Sequence, residues 1–146
     1  DKGYVKITSS STLNSSHPPK NAADLDDINS KFYSSNSENS WLQYDFMKRK
    51  VIPTHYSIRS RQDGCKNDRN PKSWVIEGSN DGSNWTNLDS QQNADSLNDK
   101  SAFHTFDIKN TAKNKEGFRY LRIRYTGPNW ESNHYMIISA LEYFGR

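Results

Sequence analysis

The segment FRYLRIRY, residues 118–125, sets Leu121, Ile123 and Tyr125 in strict alternation with Arg122 and Arg124. A side-chain period of two belongs to a strand with one face against an apolar interior and the other toward water; a helix would scatter the same residues around its circumference. The pattern recurs on both sides of this segment. Trp41 to Met47 places Leu42, Tyr44 and Phe46 on one face and Gln43 and Asp45 on the other. Val51 to Ser60 alternates Tyr56 and Ile58 with Ser57 and Arg59, and Pro53 suits a strand start or an edge, where no ladder donor is required. Tyr4–Thr8, Ser73–Gly78, Trp85–Leu88, Phe103–Ile108 and Met136–Phe144 read as further strands, and no segment sustains an apolar stripe at helical spacing.

The intervening sequence is turn chemistry. Ser9 to Ser30 reads as a long connection without a helix, and Arg61–Pro71, Gln91–Lys100, Asn110–Gly117 and Gly127–Tyr135 read as polar loops. Asn80-Asp81-Gly82 is a tight-turn signal, because a hairpin demands the positive φ that glycine tolerates. About eight antiparallel strands joined by long loops predict an all-β jelly-roll sandwich.

At 146 residues the chain makes a single domain spanning residues 1–146 around one core, expected to be excised from a larger protein. Only 32% of residues are hydrophobic, so the core must draw on the 6 Phe, 4 Trp and 8 Tyr, with Trp41, Trp74 and Trp85 mostly buried. Twenty Lys and Arg against seventeen Asp and Glu, interspersed, argue against a nucleic-acid surface. No apolar run approaches the roughly 18 residues of a membrane span, and DKGYVKITSS at the start has no signal-peptide core. The lone Cys65 leaves the fold without an intrachain disulfide, which suits a reducing compartment.

Three loops, Lys31–Asn39, Arg61–Asn70 and Gly127–Tyr135, hold the residues suited to ligand binding. A sugar needs a flat apolar platform and a few well-placed donors and acceptors; Trp130, Tyr33 or Phe32 with Arg61, Arg69, Asn133 and His134 supply those types. Trp130 reads better as a lid over the sandwich end, and His134 as an ordinary loop or edge residue. Phe32-Tyr33 is the one apolar pair a lipid surface could receive, and among serines and asparagines Phe32 fits an anchor better, so membrane binding is not expected. Arg59, Arg61, Arg119, Arg122 and Arg124 suggest either one arginine face for an acidic protein partner or a solvated outer face. Asp45, His55 and Ser57 lack a nucleophile elbow, and His17, His55, His104 and His134 lack metal-ligand spacing, so no enzyme is expected.

The fragments NAADLDD, SWLQYDF, IPTHYSIRSR, NPKSWVIEGSNDGSNWTNLD, FRYLRIRYTGPNW and ISALEYFG, in that order, resemble the discoidin or coagulation factor five/eight type C domain from Val5 to Gly145. The resemblance implies an eight-stranded antiparallel jelly roll of the galactose-binding-like type, a fold that binds rather than catalyses. It is nearest to intracellular protist members. Secreted members usually join their ends through a cysteine pair that residues 1–10 and 135–146 lack, so a cytoplasmic setting is expected. The resemblance also implies a structural calcium held by Asp24 and Asp26 of the first long loop and Glu142 of the last strand, with Asn29 or Ser30 adding oxygens; solvated turn carboxylates are the alternative. The expected function is non-catalytic recognition of a carbohydrate through Tyr33, Arg61, Arg69, Trp130, Asn133 and His134 by a monomeric domain. A protein-binding adaptor is the alternative, and anionic phospholipid ranks third.

Overall fold

The structure, a computed structural model, describes residues 5–108 and 115–145; the expected strand start at Tyr4 and most of the Asn110–Gly117 connection lie outside them. The described strands are β1 (Lys6–Ser9), β2 (Phe32–Tyr33), β3 (Trp41–Asp45), β4 (Pro53–Arg59), β5 (Trp74–Ser79), β6 (Thr86–Gln91), β7 (Phe103–Asp107), β8 (Tyr120–Tyr125), β9 (Ile137–Ile138) and β10 (Ala140–Gly145). A five-stranded sheet runs in the order β1-β3-β8-β5-β6, a three-stranded sheet in the order β10-β4-β7, and β2 pairs with β9 in a short ribbon. Every pairing is antiparallel. The architecture is therefore the β sandwich the alternation implies.

Register explains why the strands sit where they do. Leu42 opposes Ile123 and Tyr44 opposes Leu121, while Ile76 opposes Ile123 from the other side, so the apolar rows of β3, β8 and β5 merge into one inner face. Tyr56, Ile58, Phe106 and Leu141 supply the facing layer. Aromatic contacts stitch the layers: Trp74 meets Phe106 edge-on at 5.4 Å and Tyr44 meets Tyr143 at 5.3 Å. This is how a chain poor in aliphatic residues fills an interior.

Two features depart from the alternation. A 3-10 turn, Pro19–Ala23, seats the buried Ala22 within the connection expected to hold no helix, with Pro19 supplying the φ its first position wants. The expected Met136–Phe144 strand divides into β9 and β10 at Ser139, whose buried hydroxyl turns to the first loop. The three tryptophans also divide, Trp74 being fully buried and Trp41 and Trp85 half-buried on the outer face of the larger sheet.

Gly78 of β5 faces Phe118 so closely that a Cβ there would lie 2.6 Å from Phe118 Cγ. Gly78→Ala will therefore cost about 1–3 kcal/mol through overpacking. Urea unfolding checks it, and adding Phe118→Leu will recover part of the loss, because the smaller side chain gives the new methyl room.

Candidate functional site

The β2–β9 ribbon sets Tyr33 opposite Ile137 and buries Phe32 completely, so the Phe32-Tyr33 pair is built into the structure and does not project from it. The three expected loops meet. Lys31 pairs with Asp63 at 3.4 Å, the His134 amide donates to Asn36 Oδ1 at 2.7 Å, and the Trp130 amide donates to the Asn70 carbonyl at 3.3 Å. Each contact joins two different loops across the same end of the sandwich.

At their junction the guanidinium of Arg69 donates through Nε to Glu131 Oε1 at 2.8 Å and through Nη1 to the Tyr33 hydroxyl. Its Cζ lies 4.3 Å from the centroid of the Tyr135 ring, and Tyr135 in turn meets Tyr33 edge-on at 5.6 Å. Asn133 donates to the same Glu131 oxygen at 2.9 Å, and the His17 ring stands 5.7 Å from Tyr33. The bond from Arg69, followed by that from Asn133, holds the Glu131 carboxyl below the ordinary glutamate range, and the Glu131 bond raises Arg69 in return. The pair is ionised, charge-balanced and rimmed by aromatic rings, an arrangement that offers a donor and an acceptor side by side.

Asn129 shapes this end from beneath. Fully buried, it donates to Asn133 Oδ1 at 2.7 Å and to the Tyr135 carbonyl at 2.9 Å, and it accepts from the amides of Glu131 and Asn133. One amide side chain thereby satisfies the polar backbone of a whole loop, which is what permits that loop to be ordered without secondary structure.

The other expected residues have different tasks. Arg61 bonds Asp68 at 2.7 Å and lies 3.8 Å from Asp63, so it braces its own loop. Burial raises the Asp68 carboxyl, but the Arg69 amide and Arg61 outweigh it and leave Asp68 below the usual aspartate range. Trp130 donates from Nε1 to the Ala94 carbonyl at 3.0 Å, with the Lys72 ammonium 4.7 Å above its ring, the geometry of a half-buried lid. His134 joins the junction through its backbone. Sequence reasoning missed His17, Asn129, Glu131 and Tyr135; the signal for Asn129 was its place after Pro128 in a turn, where Asn bonds neighbouring backbone.

Asp24 and Asp26 are exposed, while Glu142 is half-buried and lines an apolar cavity of about 190 Å³ with Leu25, Tyr44 and Tyr143. Among the described residues no three His, Cys, Asp or Glu side chains converge as a ligand set.

The single arginine face does not form. Arg59 ends β4 of the smaller sheet and Arg61 lies in the loop that follows, whereas Arg122 and Arg124 lie on β8 of the larger sheet, preceded by Arg119. The residues suggesting a triad are likewise apart: Asp45 binds Arg119 at 2.9 Å, His55 faces Asp107 at 3.2 Å, and Ser57 bonds Thr105 at 2.7 Å.

The architecture matches known binding modules. The chain is 16% identical, with a TM-score of 0.73, to the module CpGH89CBM32-5 from Clostridium perfringens in complex with GalNAc-beta-1,3-galactose, covering 97% of this chain and 95% of that one. Similarity to chitosan-binding module 1, derived from a chitosanase/glucanase of Paenibacillus sp. IK-5, is at 16% identity and a TM-score of 0.70, over 96% and 94% of the two chains. In sequence the chain is 30% identical over 151 residues to the E3 ubiquitin-protein ligase Ufd4 of Drosophila melanogaster, an alignment that takes in 99% of this chain and 5% of that relative. The family model for the F5/8 type C domain matches residues 6–141, from the first strand through the start of the last. A β sandwich of this topology agrees with that match, and the chain belongs to the F5/8 type C domain family.

Proposed function

We propose that this domain recognises a carbohydrate on behalf of a larger intracellular protein, with the ligand seated where Arg69, Glu131, Asn133 and Tyr135 meet. The Arg69–Glu131 pair carries the reading. Held from two sides and backed by an aromatic ring, the guanidinium keeps Nη2 without a partner among the described residues, so it can donate to a hydroxyl while Glu131 accepts from the next. Sugar hydroxyls present such alternating donors and acceptors, and a net-neutral pair binds them without demanding a charged ligand. The exposed part of Tyr135 supplies apolar surface for the ring's C–H face.

Likeness to a ubiquitin ligase of which this chain spans only a twentieth favours a second reading, in which the same loop end holds a protein for a large assembly. The intracellular setting rests on the same relative. A glycan array separates the two readings. Saturable binding to one sugar class is expected, weakened about 10–100-fold in Arg69→Ala, the loss of one charge-assisted hydrogen-bonding group. The melting temperature should change little, since Arg69 lies outside the apolar core. A blank array with folded protein would reject the carbohydrate reading and leave the adaptor one.

A further inference from the structure

The family resemblance places a calcium between the first long loop and the last strand, and in this chain the backbone of that loop is already held by an arginine. Arg59, the last residue of β4, reaches under loop 24–30: Nη1 donates to the Leu25 carbonyl at 3.1 Å and Nη2 to the Asp27 carbonyl at 3.2 Å. Its Nε donates to Ser139 Oγ at 3.1 Å, and the Ser139 hydroxyl bonds the Ser30 carbonyl at 2.9 Å and lies 3.4 Å from that of Ile28. Four loop carbonyls are thus gathered by one guanidinium and one buried hydroxyl. The Asp27 carboxylate closes its own turn by accepting the Asn29 amide at 2.9 Å, so it too is spent locally.

Calcium requires about 6–8 oxygens at roughly 2.3–2.6 Å. Here the carbonyls of Leu25 and Asp27 face the Arg59 guanidinium and those of Ile28 and Ser30 face the Ser139 hydroxyl, and a divalent ion among them would stand beside a permanent positive charge. A guanidinium stays protonated at any physiological pH and presents its donors in a planar fork, so it can hold several carbonyls at once as a hard cation would. Carbonyls held in this way do not fit calcium.

We infer that Arg59 is the resident cation of this site, doing for loop 24–30 the work that the resemblance assigns to calcium. The loop then keeps its place irrespective of free calcium, and the domain neither gains nor loses stability when the ion is supplied or chelated. Sequence alternation put Arg59 on an outward face; its length is what lets it turn back to the loop.

The test is thermal unfolding in millimolar calcium and in EGTA, with amide hydrogen exchange across residues 24–30. The wild-type midpoint should be the same in both buffers, and the loop's exchange unchanged. Arg59→Ala should lower the midpoint by roughly 3–8 °C and speed exchange of the loop at least tenfold. Arg59→Lys, with charge kept but the fork lost, should fall between. Calcium raising the wild-type midpoint, or protecting the loop, would overturn the inference, as would unchanged loop exchange in Arg59→Ala. Should Arg59→Ala fail to fold, the lysine variant and the wild-type calcium titration decide it by the same criteria.

Discussion

Trp74→Ala will destabilise the domain by about 3–5 kcal/mol, the range for removing a large aromatic from a packed core. The ring is fully buried between the sheets, edge-on to Phe106, and its loss opens a cavity that two hydrogen-bonded layers cannot collapse to fill. A polar loss adds to the apolar one. Trp74 Nε1 donates to the Tyr56 hydroxyl at 3.0 Å, that hydroxyl donates to Asp89 Oδ2 at 2.6 Å, and Gln91 Nε2 donates to the same oxygen at 3.1 Å. This relay runs from β5 through β4 to β6, tying one sheet to the other. Burial and then the bond to Asp89 hold the Tyr56 hydroxyl protonated far above the ordinary tyrosine range, so it remains the donor throughout. Trp74→Phe retains most of the volume but loses the indole N–H and part of the bicyclic ring, and should cost about 1–2 kcal/mol. Urea midpoints of the two variants rank the loss of the whole ring against that of the N–H with its smaller change in volume, and a cost below about 1 kcal/mol for Trp74→Ala would mean that the site relaxes instead of leaving a void.

Since a domain of this size has only about 5–15 kcal/mol in hand, that one side chain holds a large part of the total. Its importance was legible in the sequence only as an aromatic within a strand. What alternation conveys is which residues share a face: it placed Leu42 with Tyr44 and Leu121 with Ile123 correctly, because a half-buried strand writes its two faces as apolar and polar. It could not show that β5 is buried on both faces, because Glu77 and Ser79 read as solvent-facing when their burial is supplied by other strands. Nor could it show β2, where two residues make a strand only because Ile137 and Ile138 lie opposite.

The loop end divides the same way. Tyr33, Arg69 and Asn133 were legible as chemical types in loops, and the structure brings them together; Glu131 was not, because its role depends on a side chain that arrives from another loop. Arg69 comes from one loop and Glu131 from another, 62 residues apart in the chain. Arg61, of the same type and in the same loop as Arg69, turned instead toward Asp68, a choice that depends on local backbone geometry and not on residue type.

Glu77→Ala will cost about 3 kcal/mol, the lower end for stripping the partner from a buried ion pair, because the orphaned guanidiniums retain some access to water. The Glu77 carboxylate, nearly buried on the outward side of β5, accepts from Arg122 Nε at 2.8 Å on one oxygen and from Arg124 Nη2 at 3.0 Å on the other. Arg122 in turn lies 3.9 Å from the Trp85 ring centroid and 5.7 Å from that of Trp41. The face that alternation alone presents as wet is therefore a lattice of two tryptophans, two arginines and one carboxylate, with Glu77 the anion both arginines share. Burial raises the Glu77 carboxyl, and the bonds and charges of Arg124 and Arg122 more than offset it, leaving it below the ordinary glutamate range. Asp45, chiefly through its bond to Arg119, is lowered as well. A carboxyl lowered on folding contributes stability that is complete above its unfolded value, about 4, and is lost as pH falls through the folded one. Urea midpoints should therefore hold from neutral pH down to roughly pH 5 and drop steeply below about 4. In Glu77→Gln the midpoint should start lower at neutral pH and fall less on acidification, the slope from Asp45 remaining. An acid slope identical to wild type would show that Glu77 does not titrate between the states, and the two arginines would then owe their positions to the tryptophan rings alone.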